Sequence, residues 1–217
     1  MDEIIRNIAV YALPVLFAIT LHEAAHAYAA RHFGDNTAYA QGRMTLNPLV
    51  HVDLFGTIII PILLYVSTGF VFGYAKPVPV QFGNLRNPKR DMAWVALAGP
   101  LANFIMAVLW LVFAVVLTAM DVQEDFPHKV AQAGLITNLL IFAFNLFPLP
   151  PLDGGRVLTS MLPNKLAYKF AQIEPYGFFI LLALIYFNVL AFWVQPVMWI
   201  GAQLVKLVAT PFTFFLT

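Results

Sequence analysis

The sequence has no cysteine and few charged residues: Asp, Glu, Lys and Arg make up 11% of its 217 residues, against about 25% in soluble domains. Without cysteine there is no disulfide framework, and the redox compartment stays open. The formal net charge of +1 gives no electrostatic basis for binding nucleic acid. Hydrophobic residues make up 61% of the chain. We therefore expect an all-α integral membrane protein.

Long apolar runs predict the membrane segments, since a spanning helix needs about 20 such residues. The run at 8–30 contains Glu23 as its only Asp, Glu, Lys or Arg, and four further runs contain none: 54–75, 92–120, 130–152 and 175–205. The last run exceeds one crossing. We expect it to break at Gln195-Pro196, which leaves a final segment at 197–217 that either spans the membrane or lies on it. No polar stretch could form a soluble domain, so we predict one domain over 1–217, with about five or six transmembrane segments.

Three ionisable residues interrupt the first apolar run: His22, Glu23 and His26, within the sequence LHEAAHA. Ionisable groups at membrane depth are costly and by default mark functional sites. Residues four apart share one helix face, so the two histidines can bind one metal ion. The glutamate between them can act as the general base of an H-E-x-x-H site. The alternative is an inert polar group at a helix end. We favour metal binding, and a run that carries this group is not expected to be a cleaved signal peptide.

A second polar cluster, NLFPLPPLDGGR at 145–156, follows the fourth apolar run. Its prolines break the helix and its glycines permit tight turns, which presents Asp153. This aspartate either caps the next helix or is the third ligand of a catalytic zinc site; we favour the ligand, because such sites combine histidines with a carboxylate. His51 and Asp53 are poorly spaced to share a metal ion. Asp53 is as readily a helix cap, and the role of His51 stays open.

These two clusters together resemble the site-2 proteases, zinc metalloproteases that cut substrates within the membrane. The resemblance covers most of the chain. AGPLAN at 98–103 is similar to that family's central helix motif, and GRMTLNPLVHVDLFGT at 42–57 and FGYAKPVPV at 72–80 are similar to a compact bacterial and archaeal branch. That branch lacks the PDZ and CBS domains of some relatives. An intramembrane zinc endopeptidase of a prokaryotic cell membrane is the function that the resemblance implies.

The resemblance also implies a role for individual residues. One zinc ion per chain would be held by His22, His26 and Asp153, with Glu23 as general base. Asn103 and Asn145 would position substrate or stabilise the oxyanion.

The expected substrates are transmembrane proteins cut in or near their membrane segments. We expect the segment GYAKPVPVQFG at 73–83 to form a short β edge that holds the unwound substrate. Two other classes are weighed against a protease. A zinc transporter would carry ligands at several depths, whereas the candidates here converge on one. A non-catalytic scaffold would have no use for Glu23.

The metal hypothesis also makes a demand on topology. His22, His26 and Asp153 can share one ion only if 54–75 enters and leaves on the same side, as a re-entrant hairpin. The distribution of Lys and Arg supports this hairpin, because such residues concentrate on the cytoplasmic side of membrane proteins. The hairpin places only Arg6 and Lys129 on one side and nine basic residues on the other: Arg31, Arg43, Lys76, Arg86, Lys89, Arg90, Arg156, Lys165 and Lys169. We therefore predict an external N-terminus and an active site near the cytoplasmic face.

Overall fold

The computed structural model describes residues 2–60, 63 and 76–216. Eight α-helices lie in this part of the chain: α1 Asp2–His32, α2 Thr37–Ala40, α3 Pro88–Ala119, α4 Asp125–Asn145, α5 Asp153–Met161, α6 Asn164–Ala171, α7 Glu174–Tyr186 and α8 Ala191–Leu216. Two 3₁₀ turns, Pro48–Val50 and Phe82–Asn84, and a π-helical segment, Leu54–Ile59, lie between α2 and α3.

Helix α3 is the centre of the bundle and packs against α1, α4, α5 and α8. Its interface with α4 depends on a small residue, since a Cβ added to Gly134 would lie 2.2 Å from the Trp110 ring. A buried apolar cluster of Ala107, Val108, Leu139 and Val205 joins α3, α4 and α8. The helices therefore hold together through close packing of small and aliphatic side chains.

Three described helices are long and apolar enough to cross a membrane: Ile5–His32, Pro88–Ala119 and Ala191–Phe212. Exposed large apolar side chains stand on each, among them Ile8, Phe113 and Leu207. The described residues contain no strand, and the all-helical membrane class is confirmed. The predicted five or six spans are not confirmed. Helix α4 is not among the three and carries two buried polar residues, Thr137 and Asn138, and α7 has only 13 residues.

Two local predictions differ from the structure. Residues 76–83, the described part of the expected β edge, form no strand, and Phe82 and Gly83 begin the 3₁₀ turn. The break in the last apolar run was expected at Gln195-Pro196, but α7 ends at Tyr186 and α8 already begins at Ala191. Asn188, which adopts a left-handed φ of 57°, ends α7 because asparagine tolerates that conformation. Pro196 lies inside α8, where the missing N–H removes a single backbone hydrogen bond.

The chain returns to the C-terminal end of α1 before α3 begins. The Arg86 N–H donates to the Phe33 carbonyl (2.9 Å), and the Gln81 N–H donates to the Asp35 carboxylate (2.7 Å). Leu85 packs into a buried cluster with Ala30 of α1. Residues 36–80 therefore leave and rejoin the same end of α1. Most of the predicted hairpin, 61–62 and 64–75, lies outside the described residues.

Candidate metal centre

The three predicted metal ligands come together between α1 and α5. The Nε2 atoms of His22 and His26, one helical turn apart on α1, lie 3.0 Å from each other. Asp153, the first residue of α5, places its Oδ2 3.2 Å from the His22 Nε2 and 3.4 Å from the His26 Nε2. All three side chains are buried, so they form one enclosed group of two imidazoles and a carboxylate.

The second nitrogen of each imidazole has an acceptor as its partner. The Nδ1 of His22 lies 2.6 Å from the Asn103 Oδ1, and the Nδ1 of His26 lies 2.7 Å from the Val95 carbonyl oxygen. Since an oxygen acceptor requires a donor, each Nδ1 carries the proton and each Nε2 presents a lone pair. Both lone pairs are thus available on the side where Asp153 lies.

The geometry of this group fits a zinc ion. Two lone pairs and a carboxylate oxygen this close repel each other unless a cation lies among them. Tetrahedral zinc, with bonds of about 2.0–2.1 Å, separates its ligand atoms by roughly 3.3 Å, close to the three separations observed. The Oδ2 of Asp153 is also buried without a hydrogen-bond partner, as expected for an atom that has a metal as its partner.

Gly99 of α3 leaves space open beside the imidazoles. A Cβ at this position would lie 2.4 Å from the His26 Nε2 and 2.6 Å from the His22 Nε2. Both distances are only slightly longer than a zinc–nitrogen bond of about 2.0–2.1 Å, so this Cβ would lie near the place where a zinc ion would bind. Any side chain at position 99 would therefore crowd the two donor atoms that a metal ion needs.

Glu23 lies beside the metal group on the wall of a cavity of about 670 Å³. Its Oε2 accepts a hydrogen bond of 2.8 Å from the backbone N–H of Val78. The cavity wall is shared by the three metal ligands, Glu23 and mostly apolar residues, which include Ile19, Val80, Phe144, Phe178 and Leu181. The carboxylate is thus fixed in an apolar cavity next to the metal group.

The two asparagines predicted to face substrate lie in different places. Asn145 lines the cavity, and its Nδ2 donates to the Ile141 carbonyl of its own helix (3.0 Å). Asn103 is fully buried. Its Oδ1 accepts from His22, and its Nδ2 donates to the Ala18 carbonyl (3.1 Å) and to the Asn138 Oδ1 (2.9 Å). The polar atoms of Asn103 are therefore used inside the protein.

His51 and Asp53 lie outside the metal group. The His51 Nε2 lies 3.1 Å from the Thr45 carbonyl oxygen. The Asp53 Oδ1 accepts from the Gly56 N–H at 2.7 Å, which caps the Leu54–Ile59 segment.

Sequence reasoning assigned no individual role to four residues at the site: Val78, Val95, Gly99 and Asn138. Gly99 and Val78 lie within the motifs at 98–103 and 73–83, but their own contributions were missed. Val78 and Val95 act through backbone atoms, which sequence does not reveal. Asn138 could have been found, because an amide inside an apolar run needs partners.

The structure thus combines two histidines and an aspartate that could hold a metal ion, an adjacent glutamate, and helices long and apolar enough to cross a membrane. This is the arrangement of a membrane metallopeptidase. The model of peptidase family M50 matches residues 10–135 and 119–187. The chain belongs to this family. The predicted resemblance is thereby confirmed, and the protein is a membrane zinc metalloprotease.

Two bacterial relatives show how far the similarity extends. YwhC of Bacillus subtilis, a candidate zinc metalloprotease, is 40% identical over 177 residues, which are 79% of this chain and 78% of YwhC. Rip2 of Mycolicibacterium smegmatis, also a candidate zinc metalloprotease, is 30% identical over 175 residues, which are 78% of this chain and 64% of Rip2. No solved structure matches the chain.

Proposed function

We propose that the chain is an intramembrane zinc endopeptidase that hydrolyses peptide bonds in or near transmembrane segments of other membrane proteins, as in regulated intramembrane proteolysis. The observation that carries this proposal is Glu23, whose carboxylate shares one cavity with His22, His26 and Asp153. A zinc transporter would carry ligands at several depths, whereas these three candidates share one site, and a scaffold would have no use for the Glu23 carboxylate.

His22, His26 and Asp153 would hold one zinc ion per chain. When bound, zinc supplies Lewis-acid chemistry, which polarises a carbonyl oxygen and lowers the pKa of water. Glu23 removes a proton from the attacking water while the water oxygen bonds to the carbon of the scissile peptide bond. The same carboxyl then gives that proton to the amide nitrogen as the carbon–nitrogen bond breaks. The Val78 N–H holds the Glu23 carboxylate in place for both transfers.

The cavity wall supports an apolar, unwound peptide as substrate. A helix hides its carbonyl groups in backbone hydrogen bonds, so a transmembrane segment must unwind before its peptide bond can be cut. We call residues 76–80, which reach the cavity wall next to Glu23, the strap. Pro77, Val78 and Val80 of the strap line the cavity together with Asn145. The backbone of the strap from the Val78 carbonyl onward would pair with the substrate backbone in the manner of β-addition, and Asn145 would contact the same peptide.

We further propose that the N-terminus is external and that the site opens near the cytoplasmic face of a prokaryotic membrane. The hairpin topology is supported by residues 81–86, which rejoin the end of α1 from which the chain departs. In that topology the basic residues are distributed nine against two, with Lys206 inside the final segment, and this bias supports the orientation through the positive-inside rule.

A cleavage assay tests the proposal. The purified, zinc-loaded protein should cut a model transmembrane substrate, and Glu23→Gln should lower kcat by at least about 100-fold, the usual contribution of a general base. The variant should retain its zinc, because Glu23 is not a ligand. Cleavage by zinc-loaded Glu23→Gln at the wild-type rate would remove Glu23 from the mechanism. A wild-type protein that binds zinc but cuts nothing would favour the transporter or the scaffold.

A further inference from the structure

Arg43 is a buried cation that the proposed chemistry does not use. Arg43 is only 8% exposed, and its guanidinium forms no ion pair among the described residues. Its Nη2 donates to two backbone carbonyl oxygens, that of Lys76 (2.9 Å) and that of Pro77 (3.4 Å), while its Nε is buried without a partner. Burying a charge is costly unless it is compensated. The compensation that Arg43 has comes from the strap.

The strap is held at three successive residues. The Lys76 N–H donates to the His51 carbonyl (2.9 Å), and the Val78 N–H donates to Glu23 (2.8 Å). The Val78 side chain is buried against Ala27 of α1 and Ala38 of α2. Pro77 and Pro79 have no N–H to offer, so the Val78 N–H is the one donor within 77–79. A small shift of the strap would therefore remove the hydrogen bond to Glu23 without a substitute.

We propose that Arg43 is a positioning residue that fixes the strap so that the Val78 N–H meets the Glu23 carboxylate. The importance of this contact for catalysis rests on the proposed function of Glu23. Arg43 binds the two carbonyl groups that immediately precede Val78, so its guanidinium controls where the Val78 N–H points. An apolar side chain would fill the same volume at lower cost, but it could not bind these carbonyl groups.

The position of the strap can be measured without any assay of activity. The native chain has no cysteine, so Val78→Cys supplies a single thiol that keeps the backbone N–H and is nearly the size of valine. Val78 is buried, and its thiol should react slowly with a water-soluble maleimide. Adding Arg43→Gln should accelerate labelling by about tenfold or more, because charge-assisted hydrogen bonds are lost. Arg43→Lys should give an intermediate rate, since a single Nη2 makes both contacts.

Matched controls separate a local effect from general loosening. Val205→Cys places a thiol at another buried valine, in the α3, α4 and α8 cluster, and Arg43→Gln should leave its slow labelling unchanged. Arg90→Gln removes an exposed arginine and should not accelerate labelling at Val78→Cys. Equal acceleration at both thiols, or no acceleration at Val78→Cys, would overturn the proposal.

An activity measurement connects the strap to catalysis. In the cysteine-free chain, Arg43→Gln should lower kcat/KM by about tenfold or more while zinc content stays at the wild-type value, and Arg43→Lys should recover part of the loss. Unchanged kcat/KM in zinc-loaded Arg43→Gln would overturn the positioning role. If the wild-type protein cleaves no substrate, the proposed function fails, whereas the labelling experiment still reports whether Arg43 fixes the strap.

Discussion

At the scale of single residues, the metal site depends on which nitrogen of each histidine is free. Asn103 accepts the Nδ1–H of His22 and is itself anchored to Ala18 and Asn138. The amide therefore fixes both the tautomer and the ring orientation of His22, a proposed zinc ligand, as residues behind metal ligands commonly do.

The first prediction concerns this asparagine. Asn103→Ala should weaken zinc binding by about 10- to 100-fold, the usual effect of losing a group that orients a metal ligand. Competition with a chromophoric chelator measures the affinity. Asn145→Ala is the matched control: its amide faces the cavity, so zinc affinity should stay near wild type while KM for a peptide substrate rises. The reverse pattern of zinc affinities would contradict the roles assigned to the two asparagines.

The second prediction concerns the space beside the imidazoles. Gly99→Ala puts a methyl group 2.4–2.6 Å from the two Nε2 atoms, so the purified variant should lose most of its zinc while keeping its helical circular dichroism. Gly83→Ala is the control, because a Cβ there meets nothing within 4 Å and zinc should be retained. Full zinc occupancy in Gly99→Ala would show that the methyl group does not reach the metal site.

The candidate site residues that could be found from sequence are those whose side chains differ chemically from the residues around them. His22, Glu23 and His26 stand out because ionisable groups are rare in an apolar helix, and Asp153 stands out between prolines and glycines. Gly99 and the N–H of Val78 could not be found in this way. Gly99 contributes by having no side chain where α3 approaches α1. Val78 contributes a backbone N–H where the strap approaches α1.

At the scale of elements, the connection between α1 and α3 is organised by Asp35. This fully buried carboxylate accepts hydrogen bonds from the backbone and hydroxyl of Thr37, from the Gln81 N–H and from the Asn84 side chain. Burial acts to raise the pKa of Asp35, but these hydrogen bonds outweigh it and hold the pKa below its ordinary value. The charged carboxylate thus stabilises the folded connection.

The third prediction follows from that depressed pKa. The stabilisation by Asp35 is fully present above the unfolded pKa of about 3.9 and is lost as pH falls through the lower folded pKa. Asp35→Asn should therefore reduce the free energy of unfolding by about 1–3 kcal/mol at pH 7, and the gap to wild type should shrink below about pH 4. Unfolding in detergent micelles at several pH values measures it.

A control for this experiment is Glu124→Gln, which removes an exposed carboxylate and should leave the free energy of unfolding near wild type at each pH. A gap between wild type and Asp35→Asn that stays constant down to pH 3 would contradict the assignment to the Asp35 carboxylate.

Helix existence was easier to predict than helix ends. The apolar runs at 8–30 and 92–120 correctly indicated the long apolar helices α1 and α3. The run at 130–152 overlaps α4, but α4 ends at Asn145 and is not among the helices long and apolar enough to cross. The break between α7 and α8 was misplaced, since the proline signal at Pro196 is strong in sequence but membrane helices tolerate an interior proline. Asn188, the residue that ends α7, gives a weak signal, because its left-handed conformation arises from the turn that it occupies.

At the scale of the whole molecule, the metal site requires that α1 and α5 meet at one depth. The fourth prediction tests the topology with single cysteines in the otherwise cysteine-free chain. Thiols at Thr45 and Asn87 should both react with an impermeant reagent applied from the cytoplasmic side, because in the proposed topology the chain between them enters and leaves on one face. A thiol at Gln123, beyond the far end of α3, should react only from outside. Labelling of Thr45 and Asn87 from opposite faces would contradict the hairpin.

The central claim is that His22, His26 and Asp153 hold one catalytic zinc ion between α1 and α5. Metal analysis of three purified proteins tests it most directly: wild type, Asp153→Ala and His51→Ala. We predict about one zinc per chain in wild type, as in catalytic sites with three protein ligands. Asp153→Ala should lose most of its zinc, and His51→Ala should keep it, since the His51 ring contacts a backbone carbonyl instead. Loss of zinc from His51→Ala, with Asp153→Ala fully loaded, would contradict the account.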